Sequence, residues 1–352
     1  MPTTKHEAIV HEAAWKAGEL AAKTDLAVDL TERHLDAFDS ALKHALTTGK
    51  SLDELRRNDF PLPSIAGDIR DWKRRLANGT GLVWFRGFPV ERYPIEEWEK
   101  LYLGLGRHLG QPVSQSNLGD LVGHVVNVGD KDRRERAYRN NRRLDLHTDR
   151  CDYIGMFCLR KAKSGGLSGY ASAIAVHNEI HRTRPELLAP LYDGFQLHRF
   201  GEQPDGEPPI TEQKIPIFSI ADSYPNVIYI RGYIDLAVQE GFYSLTTDQQ
   251  TALDYFDELA DSDEFCFNMM LEPGEAVFTN NCLLLHKRTG FEDHDEPERR
   301  RHLLRLWLAD PDRPASAGVR AHKTDRGIEK RDDGGTYYQG PGYVDAGADD
   351  GY

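Results

Sequence analysis

Apolar residues recur every three or four positions through most of the first ~110 residues, which is the spacing of an amphipathic helix. The stretches that share this spacing are HEAAWKAGELAAK, LTERHLDAFDSALKHAL, SIAGDIRDWKRRLANG and YPIEEWEKLYLGLGRHLG. Residues 81–90, GLVWFRGFPV, differ because glycines flank a run of β-forming residues, and this run predicts a strand. Residues 1–78 are therefore expected to be mainly helical.

Short apolar runs separated by polar turns dominate the rest of the chain. The predicted strands are HVVNV, YIGMFCL, FQLHRF, KIPIFSI, NVIYI, FCFNMML, EAVFT and HLLRLWLA. Helical spacing interrupts them at 173–192 and 246–261. Many short strands with polar turns are typical of a sandwich or barrel, so we expect an α+β fold that is mainly β, with its β core over 79–310. We expect one domain over 1–352, ending in a Gly- and Asp-rich tail at 311–352.

The composition is that of a globular protein, with 39% hydrophobic and 10% aromatic residues in a chain of 352. The net charge of -13 argues against non-specific binding to nucleic acid or to an anionic membrane, because both favour a basic surface. No apolar run approaches the ~18 residues that a membrane-spanning helix needs. The four cysteines form no CxxC pair, which favours a reducing compartment, and we expect a cytoplasmic protein. A homo-oligomer is compatible with the sequence.

One short motif, His147-Thr148-Asp149, combines two residue types that bind metals. Alternate side chains of a strand share a face, so His147 and Asp149 can bind the same ion. Two histidines and one carboxylate would leave three positions of Fe(II) open, enough for a bidentate 2-oxo acid and O2. The alternative is a hydrogen-bonded pair at the end of a strand. A second such motif, His34 to Asp36, lies in a predicted helix, where its side chains would point about 200° apart.

The third ligand must come from elsewhere in the chain. Another histidine, His286, follows an apolar run near the end of the β region. The strand that begins near Arg300 has two faces. One face carries Arg301, Leu303, Arg305 and Trp307, and the other carries His302, Leu304, Leu306 and Leu308. An arginine on an interior face needs an anion, and its planar fork suits a carboxylate. Arg301 and Arg305 start ~13 Å apart, so they serve different partners or different ends of one, or else form structural salt bridges.

The order of these pieces resembles the taurine dioxygenase and clavaminate synthase superfamily of non-haem iron enzymes. The matching pieces are LHTD (146–149), SGGLS (164–168), NNCLLLHKRTGF (280–291) and RRHLLRLWL (300–308), together with GLVWFRGFPV and LGLGRHLGQPV nearer the N-terminus. The resemblance covers roughly residues 80–310. It implies a double-stranded β-helix (jelly-roll) core with helical insertions. It also implies a dioxygenase that uses Fe(II), 2-oxoglutarate and O2 to oxidise, by default to hydroxylate, a C–H bond of a small molecule, releasing succinate and CO2.

The resemblance also implies roles for individual residues. His147, Asp149 and His286 correspond to the iron ligands. Arg301 corresponds to the arginine that binds the distal carboxylate of 2-oxoglutarate. Ser168 takes the place of a hydroxyl residue, commonly Thr, that hydrogen-bonds the same carboxylate.

Further positions either fit or depart from the family pattern. Arg305 corresponds to a second arginine that lies near the co-substrate or the substrate in different members, and Asn281 to a position beside the site. Lys287 replaces the small Gly that usually follows the distal His, and Asn280 replaces an Asp, so the loop shape is expected to differ. Asp149 is present, whereas halogenating members leave that ligand position open for chloride.

The identity of the substrate is less defined by the sequence. An Arg-rich stretch, DKDRRERAYRNNRRLDLHTDR, leads into the motif at 130–150 of an otherwise acidic chain. We expect Arg150, directly after Asp149, to contact an anionic substrate, which favours a small carboxylate-bearing molecule such as an amino acid or its derivative. The alternative is a solvated lid whose charges pair with nearby acids.

Two other functions are compatible with the same three ligands. A cupin-like hydrolase or isomerase could hold Zn(II) or Mn(II), but it would leave Arg301 and Ser168 without a task. A non-catalytic ligand-binding protein of the same fold would not need all three ligands. Turnover of 2-oxoglutarate distinguishes the dioxygenase from both.

Overall fold

A computed structural model describes residues 6–116, 118–127, 140–203, 206–323 and 327–330. The helices are α1 (Ala17–Ala21), α2 (Glu32–Thr47), α3 (Ala66–Asn78), α4 (Ile95–Leu109), α5 (Ala173–Thr183), α6 (Leu188–Asp193), α7 (Arg231–Gln239), α8 (Thr247–Asp261) and α9 (Ala317–His322). Side chains cap some of these helices: Ser172 Oγ accepts from Ala175 N at the start of α5, as Thr246 Oγ1 does from Gln249 N at α8. Within the described ranges, no helix is both long and apolar enough to cross a membrane.

The strands form two main antiparallel sheets. They are β1 (Ala27–Asp29), β2 (Leu82–Arg86), β3 (Gln111–Pro112), β4 (Val122–Val125), β5 (Leu144–His147), β6 (Tyr153–Arg160), β7 (Ser164–Gly165), β8 (Ser168–Ser172), β9 (Phe218–Ala221), β10 (Tyr224–Val227), β11 (Cys266–Met269), β12 (Glu275–Asn280), β13 (Leu284–Arg288), β14 (Phe291–Glu292) and β15 (His302–Ala309). The larger sheet has the order β1-β2-β12-β6-β15-β3, with β4 also paired to β15. The smaller sheet has the order β11-β8-β13-β5. Only the β1–β2 pair is parallel among the pairs of the described strands.

Two hydrophobic layers hold the sheets and helices together. One layer lies between the sheets and includes Leu303 of β15 and Leu284 of β13. The other lies between the larger sheet and α2–α4, and includes Leu306 of β15, Phe278 of β12 and Trp98 of α4. The two faces of β15 therefore pack in different layers, as its alternating sequence predicts. The predicted fold class, mainly β with a helical N-terminal portion, is confirmed.

Residues 11–23 were expected to be helical, but they form only the short helix α1. Trp15 Nε1 donates to Thr80 O at 2.8 Å, and Ala17 N donates to Glu264 O at 2.9 Å. These bonds to distant segments satisfy groups that a longer helix would have paired locally. Tertiary contacts thus override a helical pattern of moderate strength.

The run FQLHRF, residues 195–200, is not a regular strand. It makes only isolated bridges, Phe195 with Ile215 and His198 with Ile210. Phe195 and Leu197 are nevertheless buried in the same hydrophobic cluster as Leu303 of β15. An apolar run reports burial more reliably than it reports strand pairing. The run NVIYI likewise leaves strand β10 after Val227 and leads into α7, which the sequence did not predict.

The first part of the predicted tail is folded. Helix α9 lies within 311–352, and His322 and Lys323 at its end are buried. Arg313 is also buried and pairs with Asp152, Nη2 to Oδ1, at 2.5 Å. This charge pair and the buried end of α9 hold the segment against the β core. Residues 331–352 lie outside the described part of the chain.

Helix α4 crosses the 57–62 segment at a glycine. A Cβ atom at Gly104 would overlap the ring of Phe60, which is completely buried. Only a residue without a side chain allows this close approach. The contact packs α4 onto the segment that precedes α3.

Candidate active site

The register of two strands brings the predicted histidines together. In the smaller sheet His147 of β5 lies directly opposite His286 of β13, and their ring centroids are 4.3 Å apart. Asp149 follows two residues after His147. Its Oδ1 lies 3.8 Å from His147 Nε2, and its Oδ2 lies 3.9 Å from His286 Nε2. These residues form the one group of three such ligands in the described part of the chain, with ligand atoms within 4.8 Å of one another.

The protonation and orientation of the three groups suit a divalent metal. His147 Nδ1 is 2.8 Å from Asp145 O, a contact that favours the tautomer with a proton on Nδ1 and leaves Nε2 as a ligand. Burial and the neighbouring His147 lower the pKa of His286 to about 3. Burial raises the pKa of Asp149, but Arg305 and the two histidines outweigh this and lower it to about 2. At neutral pH the site therefore offers a neutral imidazole at His286 and a carboxylate at Asp149, the forms that bind Fe(II).

Trp307 and Arg305 reach the carboxylate of Asp149 from β15 in the larger sheet. Trp307 Nε1 donates to Asp149 Oδ2 at 2.9 Å, and Arg305 Nη1 lies 3.6 Å from the same oxygen. Arg305 also stacks over the Trp307 ring, with its Cζ 5.1 Å from the centroid. Alternation along β15 places Trp307 on this face, but the sequence did not indicate that it contacts Asp149.

The central residue of the motif, Thr148, connects it to the segment before α7. Thr148 N donates to Tyr229 O at 2.7 Å, and Tyr229 N donates to Thr148 Oγ1 at 2.9 Å. Tyr229 is fully buried, and its hydroxyl donates to Asp257 of α8. This pairing holds the backbone between the two predicted ligands in place. The sequence contains no local signal for it, because the partners are 81 residues apart.

Arg301 is a buried cation, 4% exposed, at the start of β15. Its guanidinium carbon lies 5.0 Å from the centroid of the Phe291 ring, and its backbone N donates to Asp293 Oδ1 at 2.8 Å. Its buried Nη1 has no hydrogen-bond partner among the described residues. Burial lowers the pKa of Arg301. A buried guanidinium with an unsatisfied donor needs an anionic ligand.

Ser168 lies on the strand next to the candidate iron ligands. On β8, Tyr170 is paired with His286 and Ser168 is paired with Arg288 of β13. Ser168 and Arg288 are both buried. The serine is therefore one residue pair along the same face from His286. Arg288 was not predicted as a site residue.

Arg305 lies nearer the metal centre than Arg301 does. Its Nε donates to Gln115 Oε1 at 2.6 Å, and Gln115 Nε2 donates back to Arg305 O at 3.0 Å. The two arginines therefore have different surroundings, as their separation along β15 predicts. Gln115 was not recognised in the sequence, since the segment that carries it joins β3 to β4 without a distinctive pattern.

Arg150 connects two segments beside the metal centre. Its Nη1 donates to Glu202 Oε2 at 3.0 Å, and its Nε donates to His322 O of α9 at 3.3 Å. Nearby, Lys323 Nζ donates to Asn281 O at 3.2 Å, beside the start of β13. The arginines at 133, 134, 136 and 139 of the Arg-rich stretch lie outside the described residues.

Residues 45–307 match the family model described as Taurine catabolism dioxygenase TauD, TfdA family. The chain belongs to this family. It is a non-haem iron oxidoreductase that uses Fe(II), 2-oxoglutarate and O2. The family, the enzyme class and the cofactors expected from the sequence are thereby confirmed, and the hydrolase and binding-protein alternatives find no support.

Named relatives of this TauD-family enzyme include two curated proteins. FR-33289 synthase of Streptomyces rubellomurinus is 30% identical over 266 residues, which is 74% of this chain and 78% of that protein. Taurine hydroxylase-like protein SAT17 of Stachybotrys chartarum is 26% identical over 318 residues, 85% of this chain and 79% of that one.

A solved structure also resembles the enzyme in fold. It is an asparagine oxygenase in complex with Fe(II), 2S,3S-3-hydroxyasparagine and succinate. The TM-score is 0.64 at 16% identity, and the match covers 81% of this chain and 93% of that chain. At this identity the similarity concerns the fold.

Proposed function

We propose that the enzyme binds its iron through His147, Asp149 and His286, and the distal carboxylate of 2-oxoglutarate through Arg301 and Ser168. The observation that carries this proposal is the convergence of three ligand atoms within 4.8 Å. The lowered pKa values of Asp149 and His286 keep these two groups in the forms that Fe(II) needs. The buried Arg301, with a donor that has no described partner, adds the charge that a dicarboxylate co-substrate requires.

Each of these residues has a separate task. Iron bound together with 2-oxoglutarate and O2 would supply the oxidising chemistry: one oxygen atom of O2 goes to the 2-oxo acid, which loses CO2 and becomes succinate, and the other oxidises a substrate C–H bond, by default to an alcohol. Trp307 and Arg305 hold Asp149 Oδ2, so the carboxylate keeps one orientation toward the centre. The Thr148–Tyr229 pairing keeps His147 and Asp149 at their spacing.

The substrate we propose is a small molecule with an anionic group, such as a carboxylate, that contacts Arg150. The residue is adjacent to Asp149, and its side chain is 21% exposed. Its position between Glu202 and α9 would place a bound anion at the edge of the metal centre. The name of one relative, taurine hydroxylase-like protein, and the hydroxyasparagine in the asparagine oxygenase are in keeping with a small substrate that carries an anionic group. Substitution Arg150→Gln is expected to raise KM for such a substrate more than it changes kcat.

The test of the iron assignment is anaerobic titration of the apoprotein with Fe(II), followed by 2-oxoglutarate. A weak visible charge-transfer band is expected when the 2-oxo acid chelates the iron. The band should disappear in His286→Ala and persist in His181→Ala, a control histidine on α5. A wild-type protein that never develops the band, or a His286→Ala variant that keeps it, would refute the assignment.

We further propose that the enzyme functions in the cytoplasm. All four cysteines are free and buried, which is in keeping with a reducing compartment. Sedimentation of the purified enzyme would establish whether it is a monomer or the homo-oligomer that the sequence allows.

A further inference from the structure

The candidate co-substrate site contains a second buried arginine, Arg288, which the ligand sets described above do not use. It is 6% exposed and lies two residues after His286 on β13, so both side chains point to the same face. Directly across on β8 is Ser168. Side chains paired in this way have Cβ atoms about 4.5–5.5 Å apart. Arg288 therefore borders the position at which the serine would meet the co-substrate.

Arg288 and Arg301 contact the same aromatic ring. Their guanidinium carbons lie 4.9 Å and 5.0 Å from the centroid of Phe291. The nearby acid, Asp293, accepts a bond from the backbone N of Arg301, and neither guanidinium forms an ion pair with it within the described residues. Two buried positive charges thus share one neighbourhood with a single carboxylate, so an additional anion would balance them.

Unsatisfied donors point to the same conclusion. Arg288 Nε and Arg301 Nη1 are both buried and have no hydrogen-bond partner among the described residues. A carboxylate has two oxygens and about four acceptor positions, enough for two guanidinium donors and a serine hydroxyl. One carboxylate would therefore satisfy both donors and add the missing negative charge.

We propose that Arg288 is a second arginine ligand of the distal carboxylate of 2-oxoglutarate, acting with Arg301 and Ser168. This inference rests on the proposed function, because it concerns the same co-substrate. The two arginines come from different sheets, because Arg288 lies on β13 and Arg301 lies directly before β15. Recognition of the dicarboxylate would therefore depend on both sheets. A 2-oxo acid without the distal carboxylate would leave both guanidiniums uncompensated.

Arg288 also has a structural contact, which the experiment must separate from ligand binding. Its Nη2 donates to Asn140 O at 2.9 Å and to Arg142 O at 2.6 Å. These bonds attach the segment before β5, and so the strand of His147, to β13. Loss of this attachment would disturb the metal centre whichever 2-oxo acid is bound, whereas loss of a carboxylate ligand would affect only the dicarboxylate.

The experiment compares two co-substrates in three variants of the Fe(II)-loaded, oxygen-free enzyme. The probes are 2-oxoglutarate and 2-oxobutyrate, which share the chelating end but differ in the distal carboxylate. Dissociation constants are measured by calorimetry and by the charge-transfer band for Arg288→Met, Arg301→Met and Arg107→Met. Arg107 is the matched control, since it also has a buried Nε without a described partner but lies on α4, on the helix side of the larger sheet.

We expect Arg288→Met to weaken the binding of 2-oxoglutarate about 10- to 100-fold, the loss typical of a hydrogen bond to a charged group. The binding of 2-oxobutyrate should weaken less than about threefold. Arg288→Lys, which keeps the charge, should recover part of the loss. Equal weakening of both acids, or of neither, would overturn the proposal and leave Arg288 as an anchor of residues 140–142. If Arg301→Met weakened 2-oxoglutarate while Arg288→Met did not, only this inference would fall. Failure of the wild type to bind 2-oxoglutarate would instead refute the proposed function.

Discussion

Replacement of Arg301 by Met should separate the binding of 2-oxoglutarate from every other property of the enzyme. Methionine is similar in length but carries neither charge nor donors, so it fills the space without compensating an anion. Arg301 is 4% exposed, and solvent cannot replace its interaction with the distal carboxylate. Removing one member of a buried, hydrogen-bonded charge pair costs about 2–5 kcal/mol.

That free energy corresponds to an increase in the KM for 2-oxoglutarate of about 30-fold to a few thousand-fold. At saturating 2-oxoglutarate, kcat should fall by a much smaller factor than the factor by which KM rises. The reason is that Arg301 contacts the end of 2-oxoglutarate that does not react. Arg301→Lys keeps the charge but loses the planar fork, so its KM for 2-oxoglutarate should lie between those of Arg301→Met and the wild type. Succinate formation at a fixed substrate concentration, followed over a range of 2-oxoglutarate, measures both constants.

The same substitution has a second, opposite effect on the apoprotein. Arg301 forms no ion pair among the described residues, so its burial without ligand is unfavourable. The melting temperature of apo Arg301→Met should therefore equal or exceed that of the wild type, while the stabilisation by added 2-oxoglutarate is lost. A KM within about threefold of wild type would show that Arg301 does not bind the co-substrate. A marked fall in the apoprotein's melting temperature would show that Arg301 is a structural residue.

Three further substitutions test the site and the fold. Trp307→Phe removes the 2.9 Å hydrogen bond to Asp149, and should weaken Fe(II) binding about 10-fold in anaerobic titration; unchanged affinity would mean that Trp307 does not orient the ligand. Ser168→Ala should raise the KM for 2-oxoglutarate about 10-fold, with recovery in Ser168→Thr, and a KM equal to wild type would remove Ser168 from the co-substrate site. Gly104→Ala should lower the free energy of unfolding by about 1–3 kcal/mol, because the added Cβ overlaps with Phe60. Urea unfolding measures this loss, and the activity of the folded fraction should not change. A variant as stable as the wild type would show that α4 can shift.

The sequence determined the elements whose pattern is local and repeated. Helices α2, α3, α4 and α8 follow apolar residues spaced three or four apart, and this spacing needs only one buried face to be satisfied. The two faces of β15 were likewise readable from alternation alone. The short motif at 147–149 indicated that His147 and Asp149 share one side, and their side chains are 3.8 Å apart, although β5 ends at His147 and Asp149 follows it.

Other features depended on contacts between segments that are distant in the chain. Residues 11–23 form little helix because Trp15 and Ala17 bond to distant carbonyls. Phe195 and Leu197 are buried although the segment 195–200 does not pair as a regular strand. Helix α9 has too weak a local pattern to be predicted. Its burial depends on the Arg313–Asp152 pair and on Lys323, which reaches Asn281.

Only the tertiary structure decided which side chains surround the candidate metal site. His147 and His286 meet because β5 and β13 pair in one register, and a slip of one residue would turn one imidazole to the opposite face. Sheet packing likewise decides that Trp307, from the larger sheet, contacts Asp149. Strand pairing decides that Arg288 of β13 lies beside Ser168 of β8, which is distant in the sequence. Local spacing determines which residues share a face, whereas register and sheet packing determine which faces meet. The sequence alone therefore indicated the ligand types, and the fold determined their partners.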